Sequence, residues 1–132
     1  HVVIDLGAGV DRATRHMAGP CAINFVLVTD EPTSLTDAYA FIKLSRSANA
    51  QADMRVVVNM AGSIQEGQRT YEAIRKACEN FLGYTPPLAG IIRRDNKVRE
   101  AIRAQTAVLV RSPESDAAMD VLALAGKVFR RD

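Results

Sequence analysis

Apolar positions along this chain follow two rhythms. Unbroken runs of strand length cover residues 2–6 (VVIDL), 23–29 (INFVLVT), 55–60 (RVVVNM) and 88–92 (LAGII), and each ends at glycine, proline or polar residues. Between them the spacing changes to that of helices. After residues 30–34, where Thr33 or Ser34 is expected as the N-cap, Leu35, Ala38, Tyr39, Ile42 and Lys43 recur at helical intervals. Ile64, Tyr71, Ile74, Cys78, Phe81 and Leu82 share one side of a helix predicted over 64–82, and Gly83 stands where its C-cap belongs. A short helix is predicted over 97–105 and a short strand over 107–110. Ser112, Pro113 and Glu114 open a last helix with Ala118, Val121, Leu122 and Ala125 on its inner face.

Strands read as continuous apolar runs, joined by crossovers long enough to hold a helix, predict an α/β fold. Its sheet is expected to be mostly parallel and flanked by helices on both faces. No repeat, low-complexity tract or linker divides residues 1–132, so one domain is expected. Ligands of such sheets bind beyond the carboxyl ends of the strands. Those ends carry residues 5–9, 29–32, 59–62 and 93–96, and three of the four are polar or glycine-rich.

Composition narrows the chemistry. The chain is 48% hydrophobic and 24% charged, without tryptophan, which suits a soluble α/β domain. A formal charge of +2 gives no basis for nucleic-acid binding. Cys21 and Cys78 lie far apart in apolar surroundings and are expected to be reduced, buried thiols. Neither His1 nor His16 has a metal-ligand neighbour at helical spacing, and neither accompanies a nucleophile with an orienting acid. No run approaches the ~20 apolar residues of a membrane span, and no signal peptide pattern is present. The expected location is the cytoplasm.

The strand ends offer several candidates. Asp5 closes an apolar run and is placed either to hold a water on Mg²⁺ beside a triphosphate or simply to cap a strand-to-turn transition. Gly7 and Gly9 would let backbone N–H groups approach a phosphate. Asn59 presents a donor and an acceptor together, as the edge of a purine requires, though loop backbone could use them equally well. Glu31 could accept ribose hydroxyls, and Arg93 and Arg94, beside Asp95, could stack on a base or meet phosphate. The phosphate-cradling loop G-x-x-x-x-G-K-[ST] does not occur in the chain.

Taken in order, VVIDLGAGVD, VTDEPTSLTDAYAFIKL, VVVNMAGSIQEG, LAGIIRRDNKVREAIRAQTAVL and SPESDAAMDVLALA resemble the MinD/ParA class of P-loop ATPases with a deviant Walker A loop. The branch resembled is that of the FlhG/FleN regulators of flagellar number and placement. In that class the Walker A loop and several strands precede the block DLGAG. The resemblance therefore implies that this chain corresponds to the carboxyl-terminal part, starting within the Walker B strand.

The resemblance further implies that Asp5 is the Walker B carboxylate, contacting Mg²⁺ through water, and that Gly7 and Gly9 lie in the switch II turn. Asn59 would read the adenine edge of ATP. Glu31 would reach the nucleotide of a second subunit in a homodimer. Arg93, Asp95 and their loop would border the base, although the class usually has proline where Arg93 stands. Expected partners are a second copy and proteins of the flagellar or polar machinery. Membrane association would need a segment other than LALAGKVFRRD, which reads as core-packing. Without Walker A lysines the chain alone is expected to bind ATP weakly and not to hydrolyse it. A sheet edge left bare would favour an oligomer. Two alternatives remain: a ParA-like DNA-partition ATPase, and a binding module that keeps the sheet without catalysis.

Overall fold

The structure is a computed structural model and describes residues 1–129. The basic end considered above, residues 130–132, lies outside the described residues. In chain order the elements are α1 (Arg12–Ala18), β1 (Asn24–Val28), α2 (Pro32–Ala48), β2 (Met54–Ala61), α3 (Ile64–Leu82), β3 (Leu88–Arg93), α4 (Asn96–Arg103), α5 (Val108–Arg111) and α6 (Asp116–Val128). The three strands form one parallel sheet in the order β1-β2-β3. Parallel neighbours joined by helices cross over right-handedly, which puts α2 and α3 on the same face, and the two helices pack against each other there.

That face holds the core. Val26 and Val28 of β1 and Val56 and Val58 of β2 meet Ala38 and Ile42 of α2 and Tyr71, Ile74 and Cys78 of α3. Tyr71 is buried with its hydroxyl donating to the Pro86 carbonyl at 2.9 Å, so the polar tip of an otherwise apolar ring is satisfied. Burial pushes the Cys78 thiol up to about 11, which keeps it protonated and inert. Cys21 is only half-buried, its thiol donating to the Met17 carbonyl at 3.5 Å, and both cysteines are free.

The other face is covered unevenly. α6 lies over β3, where Leu124 packs on Gly90: a Cβ added there would stand 3.5 Å from Leu124 Cδ1, an ordinary contact. Over β1 the cover is thinner. The run 23–29, read as buried on both sides, alternates instead, with Phe25 37% and Leu27 58% exposed.

Two predicted strands are corrected. Residues 2–6 form no strand; Val2 and Val3 are exposed, and segment 1–11 does not join the sheet. An apolar run becomes a strand only where a neighbour completes its ladder. Residues 107–110 contribute to the one-turn helix α5, closed by N–H groups of Val110 and Arg111 on the Ala107 carbonyl. Residues 12–18 form an unpredicted helix, α1, capped by Asp11, whose carboxylate accepts from the Thr14 N–H at 2.8 Å.

Helix ends follow local chemistry with two shifts. Glu31, not Thr33 or Ser34, is the N-cap residue of α2. Proline occupies the first turn, and Ser34 Oγ reaches back to accept from the Thr29 N–H at 2.9 Å. On α6 the N-cap is Ser115, and the buried residues are Ala117 and Ala118, whereas Leu122 is 54% exposed.

Gly83 ends α3 as predicted, at φ +61°. Its N–H bonds the Glu79 carbonyl at 3.2 Å and that of Tyr84 the Cys78 carbonyl at 3.5 Å. A Cβ there would meet nothing within 4 Å, so only the left-handed backbone resists a side chain. Gly83→Ala is expected to cost about 1 kcal/mol in urea denaturation. An unchanged midpoint would show that the cap is not needed.

Candidate functional site at the carboxyl edge of the sheet

The carboxyl end of the central strand departs from regular pairing. Val58 pairs with Ile91 and Ala61 with Arg93, so three steps along β2 match two along β3. This is a β-bulge, and Asn59 and Met60 are the residues inside it. Met60 has φ +54°, a left-handed conformation that costs an L side chain steric strain. The ladder resumes beyond it, with the Arg94 N–H on the Ala61 carbonyl at 2.7 Å. Asn59 is half-buried, and among the described residues its side-chain amide makes no hydrogen bond.

The β3 exit is organised differently. The Arg93 guanidinium is engaged with α6: Nε and Nη2 donate to Asp120 at 2.9 and 3.0 Å, and Nη1 lies 3.1 Å from Asp116. The backbone N–H of Arg93 also donates to Asp120 Oδ2 at 2.9 Å. Burial raises the Asp120 carboxyl, but the hydrogen bonds from Arg93 outweigh it and leave the group below the ordinary range.

Asp95 is the N-cap of α4, accepting from the Lys97 N–H at 2.8 Å, and its other oxygen accepts from the Ala117 N–H at 3.1 Å in the first turn of α6. Those two bonds, Lys97 first, hold its carboxyl low. Arg93 and Asp95 thus tie the loop after β3 to α6. In this arrangement they shape the loop, and neither offers a free charged group to a base or phosphate. Arg94 is exposed and makes no salt bridge among the described residues.

Glu31 sits at the β1 exit, exposed, and as N-cap of α2 makes no side-chain capping bond. Gly62, just past β2, lies under the Glu66 carboxylate, which fills the space a Cβ would need. Asp5, Gly7 and Gly9 are all exposed in segment 1–11, with Gly9 at φ +118° and open space at Gly7. The structure therefore brings Glu31, Asn59, Arg93 and Asp95 to the ends of three adjacent parallel strands, while Asp5, Gly7 and Gly9 lie on the chain before them, outside the sheet.

Sequence reading missed two residues here. Asp120 was findable: it lies four residues after Asp116, hence on the same helix face, opposite a strand-end arginine. Met60 was not, since nothing in its side chain signals a left-handed backbone.

The donor set fits one end of a nucleotide. An uncommitted amide at the exit of a buried central strand has the donor and acceptor that a purine edge requires. For the cation the fit is poorer: among the described residues no group of three or more histidine, cysteine or carboxylate side chains could hold a metal ion. Asp5 alone would supply one carboxylate, which suits Mg²⁺ only where phosphate and water complete the shell. No helix of the described residues is long and apolar enough to cross a membrane.

No family model matches the chain. Among curated proteins it is 36% identical over 127 residues to the antiactivator FleN of Pseudomonas aeruginosa, covering 96% of this chain and 45% of FleN. It is 30% identical over 80 residues to the flagellum site-determining protein YlxH of Helicobacter pylori, covering 61% of this chain and 26% of YlxH. The chain thus spans under half the length of the relatives it matches. Among solved structures it superposes on the MinD cell division protein of Aquifex aeolicus with a TM-score of 0.71 at 18% identity, over 96% of this chain and 52% of that one. The parallel α/β sheet and the MinD superposition show a MinD-like fold, and the match to FleN over nearly the whole chain supports the FlhG/FleN branch of the MinD/ParA class.

Proposed function

We propose that this chain provides the base-binding and subunit-facing part of a MinD-like regulator of flagellar number or placement, switched by ATP between monomer and dimer. The observation that carries the reading is the match to FleN across nearly the whole chain, with Asn59 uncommitted at the central strand exit within it. Asn59 would read the adenine edge, and Asp95 would hold the neighbouring loop in shape. Glu31, exposed and free of its helix cap, is available to a nucleotide held by a second subunit. Gly7 and Gly9 would follow the γ-phosphate, and Asp5 would meet Mg²⁺ through water. Binding energy that differs between the two states drives such a switch.

Phosphate gripping and water activation need groups other than those described, so this chain alone is expected to bind Mg²⁺–ATP only weakly and to release no phosphate. Isothermal titration calorimetry tests both the strength of binding and its dependence on the base. The expected result is a millimolar dissociation constant, about −4 kcal/mol, weakened further by Asn59→Ala. Micromolar binding, or indifference to the Asn59 substitution, would overturn the assignment.

A further inference from the structure

We infer that Met60 forms an apolar seat for the face of the bound base, beside the amide of Asn59 that meets its edge. The inference rests on the base-binding reading above and adds a residue to it. Three observations meet at this position. Met60 is held at φ +54°, which glycine or asparagine would adopt at less cost. Its side chain is 48% exposed and is not part of the core cluster, so the strain is not offset by burial within the chain. It lies in the bulge at the carboxyl exit of the one strand paired on both sides, next to Asn59.

Bulges re-aim side chains, and strained backbone of this kind concentrates where ligands are held. If the bulge only had to turn the strand, a small residue would serve. A long, unbranched, polarizable thioether adds a surface suited to an aromatic ring. Such a contact is weakly selective among bases, because every base has a π face. The hydrogen-bonding edge read by Asn59 would then choose between purines, while Met60 would add affinity.

The chain contains methionine at four positions, and their exposure makes the test internally controlled. Met54 is fully buried, Met17 and Met119 are 51% and 55% exposed, and Met60 is the one at the site. A sample carrying ¹³C at the methionine ε-methyl groups, with ¹⁵N labelling to follow the Asn59 amide, is titrated with Mg²⁺–ATP by NMR.

The Met60 methyl signal is expected to move upfield, as a methyl over a ring face does, and to saturate together with the Asn59 amide. The other three methyl signals should stay in place. Met60→Gly is expected to raise the melting temperature by relieving the backbone and to weaken nucleotide binding ~2- to 13-fold, the range of a thioether–aromatic contact. An Asn59 amide that moves beside a silent Met60 methyl, or unchanged affinity in Met60→Gly, overturns this inference and leaves base binding intact. If neither signal moves, the base-binding reading falls and this inference with it.

Discussion

Gly67→Ala is expected to destabilise the fold by about 2 kcal/mol, against the direction that helix propensity gives. Gly67 lies inside α3, and alanine in a helix interior is favoured over glycine by ~1 kcal/mol. At this position, however, a Cβ would run into Ile91 Cγ2 on β3 and stand 3.1 Å from the Ala61 Cβ on β2. Ala61 Cβ is fixed to the backbone and Ile91 Cγ2 sits one bond from its Cβ on a stiff β-branched side chain, so neither swings away easily. The helix itself must lift, and overpacking of that kind costs about 1–3 kcal/mol. With no yielding side chain the upper end applies, less the propensity gain.

Gly126→Ala in α6 supplies the control, since its Cβ would meet nothing within 4 Å and the backbone is helical. It is expected to stabilise by about 0.5 kcal/mol. Urea denaturation of both variants decides the matter: midpoints moving in the same direction would refute close approach as the reason for glycine at 67. Because Ala61 closes the bulge that contains Asn59 and Met60, lifting α3 from it would also disturb the candidate site.

The contrast between those two glycines shows where sequence reading stops. The runs 23–29, 55–60 and 88–92 became β1, β2 and β3 because each is apolar, short and bounded by turn residues, and because each has a partner. Residues 2–6 have the same pattern but pair with no strand among the described residues, so pattern alone misled. At 107–110, β-favouring Val108 and Val110 entered a helical turn, in which the N–H groups of Val110 and Arg111 share the Ala107 carbonyl. Helices α2 and α3 were legible from periodicity, and the Gly83 cap from its position.

The site was legible in part. Asn59 and Glu31 could be picked out because strand exits are where α/β sheets bind ligands, and the structure leaves both side chains uncommitted. Arg93 and Asp95 were picked out by the same rule, yet both are occupied by partners more than 20 residues away, on α6. Such pairing depends on where a later helix docks, which local spacing does not encode.

Asp120→Ala is expected to destabilise by about 2 kcal/mol at pH 7. The Asp120 side chain is 13% exposed and the Arg93 side chain 30%, so the pair is partly shielded and bidentate. Removing the carboxylate strands a guanidinium and a backbone N–H that now have no acceptor there, a larger loss than that of a surface pair. Asp116, still 3.1 Å from Nη1, limits the damage. Asp116→Ala should cost under ~0.5 kcal/mol, because that carboxylate is 63% exposed and its pair is screened.

Acid separates this explanation from lost packing. The folded Asp120 carboxyl lies below its unfolded value of ~3.9, so its stabilisation is fully present above that value. It is lost as pH falls through the depressed folded value. Wild type and Asp120→Ala should therefore differ in denaturation midpoint at pH 7 and converge toward pH 2. Asp95, depressed in the same direction chiefly by its own backbone hydrogen bonds from Lys97 and Ala117, keeps those bonds in both proteins, and its like-charge effect on Asp120 is a minor one. A gap that persists undiminished in acid would mean that Asp120 contributes through its packing, and that the charge pair with Arg93 does not anchor the loop.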